Sequence, residues 1–143
     1  MAKKYGVYIC TGCGIGDVLD IDALAGVAED EGHTVKRHEC LCGDAGVALL
    51  NGDVADGVNT LSILGCSRRV NYDIFKWDNC LVDRASIREQ VVWSMSREKY
   101  PAKGPEDDDY FVDNIQLAAN DYMRMSLARL GKVELPEPFK LEN

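Results

Sequence analysis

Three short β-prone runs in this chain each close on glycine and cysteine, and that repetition limits the fold more than any other feature. Tyr5 to Cys10 (Tyr-Gly-Val-Tyr-Ile-Cys) leads straight into Gly12, Cys13, Gly14 and Gly16, which suits a buried strand followed by a tight loop. Thr34 to Cys40 is a more polar run, nearer an edge, and Cys42-Gly43-Asp44 follows it. Thr60 to Leu64 halts at Gly65-Cys66. Between the first two runs, Asp20 or Asp22 can cap a helix carrying Leu24, Val27 and Ala28 at helical spacing and stopped by Gly32. Between the second and third, Ala45 to Leu50 reads as a short helix ended by Asn51-Gly52, with a further turn over Asp53 to Gly57. Strands alternating with helices predict an α/β fold: a small three-layer domain on a short parallel sheet of about four strands, joined by right-handed crossovers.

The second half is less regular. Asn71 to Lys76 is short and ambiguous, and Cys80 to Asp83 supplies a fourth strand. Ile87 to Ser96 reads as a helix capped by Ser86, with Glu89 at the capping-box position. Pro101 to Asp109 is the one linker-like stretch, and its acidic run from Glu106 reads as a solvated helix start. A long amphipathic helix is predicted from Tyr110 to Leu130, with Phe111, Ile115, Ala118, Tyr122 and Met125 on one stripe. After Gly131 the tail carries Pro136 and Pro138 and is expected to lie extended over a surface. The division is a domain over 1–131 and a tail over 132–143.

Composition narrows the function. A chain of 143 residues suits one domain and needs no covalent staples to fold. Sixteen Lys plus Arg against 24 Asp plus Glu give a net charge of −8, which argues against a nucleic-acid binder or a basic membrane-surface helix. No window has the length and apolarity of a membrane span. Met1-Ala2-Lys3-Lys4 runs into an apolar stretch too short for a signal peptide, so a cytoplasmic location is expected. Six cysteines are too sparse for a disulfide scaffold, and in a reducing compartment clustered thiols bind metal or do redox chemistry.

Topology gives the cysteines a meaning. Cys10, the Cys40/Cys42 pair and Cys66 each fall at the carboxyl end of a predicted strand, and in a parallel sheet those ends share one edge, where α/β folds place ligands. Cys13 follows in the first loop, so four thiols from three loops can converge. Gly12, Gly14, Gly43 and Gly65 let backbone N–H groups approach a sulfur-rich guest, and helices beginning after the first two groups aim their positive ends at it. Arg68 and Arg69 add positive charge beside Cys66. Four such thiolates describe an iron–sulfur site or a structural zinc site. Zinc sites usually come as two Cys-x2-Cys knuckles; here there is one such pair and two single ligands, which favours a cluster. Cys40 reads as the same strand face as Cys42, one layer lower, and as a substitute ligand for Cys42 or Cys13. Cys80 reads as an inert core thiol at the opposite edge.

Other readings carry less. A dithiol redox motif at Cys10-Thr11-Gly12-Cys13 needs the second cysteine in a helical turn, and Gly14 and Gly16 oppose one. Gly12-Cys13-Gly14-Ile15-Gly16 lacks the register of a dinucleotide loop. His33 and His38 have no triad partners and read as surface residues, and Trp77 and Trp93 as core or interface.

In its motifs the chain resembles the N-terminal domain of heterodisulfide reductase A, the flavin-bearing component of an electron-bifurcating complex. The matching segments are Gly6-Val7-Tyr8-Ile9-Cys10-Thr11-Gly12-Cys13-Gly14, Cys42-Gly43-Asp44-Ala45-Gly46, Cys66-Ser67-Arg68-Arg69 and Ile87-Arg88-Glu89-Gln90-Val91-Val92-Trp93. In order and spacing they cover roughly residues 5 to 131. The resemblance implies one [4Fe–4S] cluster held by Cys10, Cys13, Cys42 and Cys66, with Gly12, Gly14, Gly43, Ser67 and Arg68 around it. Three departures stand out. The first pair is Cys-x2-Cys where the family usually has Cys-x-Cys. Arg68 replaces the proline usual after Cys-Ser. The crossover from Arg69 to Cys80 is shortened, so a brief turn is expected in place of a helix. The family's flavin and ferredoxin modules have no counterpart in these residues, so no flavin is expected in this chain. The expectation is an electron-transfer or docking subunit, without catalysis of its own, beside flavin and ferredoxin-type partners. The alternative is a structural subunit with a four-cysteine zinc site or no metal.

Overall fold

The computed structural model describes residues 2–106 and 111–142. Strands β1 (Tyr5–Cys10), β2 (Val35–His38), β3 (Thr60–Leu64) and β4 (Leu81–Ala85) form one parallel sheet in the order β2-β1-β3-β4. The helices are α1 (Ile15–Val18), α2 (Ile21–Asp30), α3 (Asp44–Ala55) and α4 (Asn114–Lys132), with a single π-type turn at Arg88–Val92. The predicted α/β class, the four-stranded parallel sheet and the long C-terminal helix are all present.

Helices or loops cover both faces, which is why β1 and β3 read as nearly continuous apolar runs. Alternation divides their side chains. Val7, Ile9 and Leu64 pack with Leu24 and Ala28 of α2 and with Ile115, Ala119 and Met123 of α4. Tyr8, Leu61 and Ile63 face the other way, onto Leu50 of α3 and Phe75 of the β3–β4 connection. The Ser62 and Ser126 hydroxyls bond at 2.7 Å and tie β3 to α4 in the core. The chain leaves β1 toward the α2 face and leaves β3 toward the α3 face. Their carboxyl ends therefore flank the point where the winding reverses, the place such sheets offer a ligand.

Several boundaries differ from expectation. Helix α3 does not stop at Asn51-Gly52 but runs to Ala55. A glycine there costs about 1 kcal/mol of propensity, which the burial of Leu50 and the 2.7 Å bond from Trp77 Nε1 to Asn51 Oδ1 outweigh. Strand β2 is shorter than predicted, and β4 starts one residue after Cys80. Of the helix expected over Ile87 to Ser96 only the first part is helical, and it is π-type over Arg88–Val92, with Trp93 N–H donating to the Arg88 carbonyl at 2.8 Å; the remainder is turn and loop. The capping box is also rerouted, because Glu89 Oε2 accepts from the Ser67 N–H at 2.7 Å and the Ser86 hydroxyl at 2.8 Å. Helix α4 begins beyond Phe111, after the Asp113 cap, and buries Ile115, Ala119, Met123, Leu127 and Leu130, which leaves Met125 on the outside. Tyr110 and the acidic residues 107–109 lie outside the described residues. The β3–β4 connection contains no helix, as its shortening implied. Beyond Lys132, which still belongs to α4, the tail has no regular structure among the described residues. Lys3 Nζ holds its start through the Val133 carbonyl at 2.6 Å, while Phe139 and Leu141 are 84% and 83% exposed. Among the described residues no helix is long and apolar enough to cross a membrane.

Candidate functional site

At the winding reversal, Cys10, Cys13, Cys42 and Cys66 line one pocket of about 50 Å³. Cys10 ends β1, Cys13 lies in the loop after it, Cys42 follows β2 and Cys66 follows β3. Close backbone approach makes this convergence possible. A Cβ on Gly12 would stand 2.2 Å from the Glu39 carbonyl oxygen, so the loops after β1 and β2 can touch only through glycine. A Cβ on Gly46 would come within 2.3 Å of the Cys40 carbonyl, so α3 seats directly under Cys40 and Leu41. Leu41, fully buried, pins the segment between the two cysteines. Cys13 itself adopts φ 54°, and Asn71, also on the pocket, φ 49°; non-glycine residues in the left-handed region concentrate at functional sites.

Two arginines, not the expected Arg68 and Arg69, reach the sulfurs. Arg84 on β4 donates from Nη2 to Cys66 Sγ at 2.9 Å and from Nη1 to the Val70 carbonyl at 2.6 Å, with its guanidinium over the Phe75 ring. Its Nε is buried and has no partner among the described residues. Arg88 donates from Nη1 to Cys13 Sγ at 3.4 Å and from Nε to Glu89 at 2.7 Å, and stacks on Trp93. Burial works against the Arg88 charge, but the bonds to Cys13 and Glu89 outweigh it and hold the guanidinium protonated. Trp93, 60% exposed, donates from Nε1 to the Cys13 carbonyl at 3.3 Å. Partial desolvation at the pocket raises the pKa of the Cys42 thiol, although the residue as a whole is exposed, and the bond to Cys40 and the Cys10 and Cys66 sulfurs raise it further. Those groups thus share one electrostatic environment.

The other expected residues divide. Gly12 lines the pocket; Gly14 and Gly43 stand beside it without lining it. Ser67 turns its N–H to Glu89, and Arg68 is exposed outside the pocket with Arg69. Cys40 is not one layer lower on a strand. It lies in the turn after β2, exposed, with its sulfur 3.7 Å from Cys42 Sγ. Cys80 sits at the opposite end of the sheet, its thiol directed at the Val58 carbonyl and its pKa raised by burial and then by Asp78. His33 packs on Tyr5, and His38 Nδ1 accepts from the Cys40 N–H at 2.9 Å. Arg84, Arg88, Asn71 and Phe75 escaped the sequence reading. The one signal present was the phase of Arg84, which shares the face of β4 with the partly buried Val82.

The donor set, four soft thiols beside two guanidinium groups and one unpartnered buried N–H, fits an anionic metal–thiolate guest. Among the described residues, no three His, Cys, Asp or Glu side chains are grouped so as to hold a single metal ion. No family model matches the chain, and neither a curated protein nor a solved structure matches it.

Proposed function

We propose that this chain binds one [4Fe–4S] cluster through Cys10, Cys13, Cys42 and Cys66 and serves as an electron-transfer or docking subunit of a heterodisulfide-reductase-like redox complex in the cytoplasm. The observation that carries this reading is the convergence of those four thiols, from three loops, on one pocket at the winding reversal. A cluster bound there supplies one-electron transfer. The protein's share is electrostatic. Arg84 and Arg88 donate to the Cys66 and Cys13 sulfurs and stabilise negative charge on them. Glu89 holds Arg88 in place and anchors the Ser67 backbone next to Cys66. Trp93 covers the Cys13 side while staying open to solvent, where a partner can approach. Flavin chemistry, in this reading, belongs to a partner subunit. One Cys-x2-Cys pair with two single cysteines from other loops, in place of the two Cys-x2-Cys knuckles usual for zinc, favours a polynuclear guest over a lone zinc ion.

Anaerobic reconstitution of the full chain with ferrous iron and sulfide, followed by visible and EPR spectroscopy before and after dithionite, tests the ligand set. The wild type and Cys80→Ser acquire a chromophore that bleaches on reduction, and Cys66→Ser acquires little or none. A folded Cys66→Ser with the full chromophore, or a folded Cys80→Ser without it, contradicts the assignment.

A further inference from the structure

A fifth thiol stands at the rim of the pocket, and the ligand set leaves it unused. Cys40 Sγ lies 3.7 Å from Cys42 Sγ, and both residues are exposed. Their surroundings differ: Cys42 lines the cysteine pocket, whereas Cys40 lines the open groove next to it with Arg37 and Glu39. The turn holds the two sulfurs side by side. The Gly43 N–H bonds the Cys40 carbonyl at 3.2 Å, His38 Nδ1 accepts from the Cys40 N–H, and buried Leu41 fixes the residue between. A Cβ on Gly43 would stand 3.1 Å from Cys40 Sγ, so glycine leaves that sulfur room to move.

From this geometry we propose that Cys40 and Cys42 form a thiol–disulfide exchange site for low-molecular-weight disulfides, and that closing it withdraws Cys42 from the pocket. Cys40, facing the open groove, attacks one sulfur of the small disulfide as thiolate. A protein–small-molecule S–S bond forms, and the other half leaves as a thiolate. Cys42 then attacks Cys40 Sγ, the Cys40–Cys42 bond forms, and the second half leaves. Two protein thiols lose two electrons and two protons, and the small disulfide becomes two thiols. A Cys42 bonded to Cys40 no longer offers a thiolate to the pocket.

The exchange itself stands apart from the cluster assignment; only its consequence for Cys42 rests on that reading. The first arm uses the metal-free full chain, incubated anaerobically with oxidised glutathione, alkylated and mapped by mass spectrometry. The Cys40–Cys42 disulfide is expected in the wild type, and a glutathione adduct or a free Cys42 in Cys40→Ser. Stable glutathionylation of Cys40 with Cys42 free, Cys42 bonded to Cys10, Cys13 or Cys66, or no reaction at Cys40 overturns the proposal. The second arm follows iron release from reconstituted protein under the same disulfide. Several-fold slower release from Cys40→Ser than from wild type is expected, and equal rates overturn the coupling. Failure of both proteins to take up iron and sulfide would refute the cluster assignment and leave the first arm standing.

Discussion

Arg84 shows what the candidate site asks of single residues. On β4 it lies among apolar neighbours, with one nitrogen on the Cys66 sulfur and another on a backbone carbonyl, while its Nε has no partner among the described residues. A buried donor left unpaired costs about 1–3 kcal/mol, so an occupant of the pocket that accepts from Nε would recover part of that cost. A cation beside a thiolate-ligated centre favours the more negative, reduced state. Arg84→Met in the reconstituted protein should therefore lower the midpoint potential by on the order of 50 mV, the equivalent of about 1 kcal/mol in a charge-assisted hydrogen bond. A redox titration followed by EPR checks it; an unchanged or raised potential with iron content intact contradicts it. The positions of the cysteines were legible because a parallel sheet gathers its strand ends. The arginines were harder to find. Arg68 and Arg69 sit next to Cys66 in the sequence, but a side chain's reach is set by the neighbouring strand, and that brings Arg84 to the sulfur.

At the scale of elements, α4 shows a predicted stripe that is right in part. Of Phe111, Ile115, Ala118, Tyr122 and Met125, Ile115 is buried and Ala118 and Tyr122 pack against the core at its edge, while Phe111 precedes the helix and Met125 is exposed. The centre of the buried face runs through Ile115, Ala119, Met123 and Leu127. The capping side chain sets where the helix starts, since Asp113 accepts from the Ile115 and Gln116 N–H groups. Asp113 also pairs with Arg97, and that hydrogen bond holds its carboxyl below the usual range, with burial working the other way. A lowered folded-state pKa means that the contribution is present above the unfolded value, about 3.9, and is lost as pH falls through the folded one. Asp113→Ala should cost about 1–2 kcal/mol at pH 7, mostly the cap, because the half-exposed Arg97 leaves the ion pair screened. Urea midpoints should show the gap between variant and wild type narrowing in acid below about pH 4; a gap that stays constant or widens contradicts the role given to Asp113. The π-type turn at Arg88–Val92 was not legible as such. Its apolar spacing passes for a helix, and the contacts that reshape it, from Arg88 to Cys13 and from Glu89 to Ser67, come from distant loops.

For the whole molecule, the strand order carries most of the meaning. With β1 and β3 central and the winding reversing between them, Cys10 and Cys66 are neighbours although 56 residues apart, and β2 adds Cys42 from the side. The same order puts Cys80 at the far end of the sheet, beyond reach of the others. This arrangement follows from strand–helix alternation, so fold class and candidate site were legible together. What the pattern could not show was which cysteine of the Cys40/Cys42 pair faces the pocket, because the turn after β2 decides that. The central claim is that the four gathered thiols hold an iron–sulfur cluster. The most direct test is metal and acid-labile sulfide analysis of the full chain purified without oxygen. About four iron and about four sulfide per chain are expected, with little zinc. Stoichiometric zinc without sulfide, in a folded protein, would contradict it.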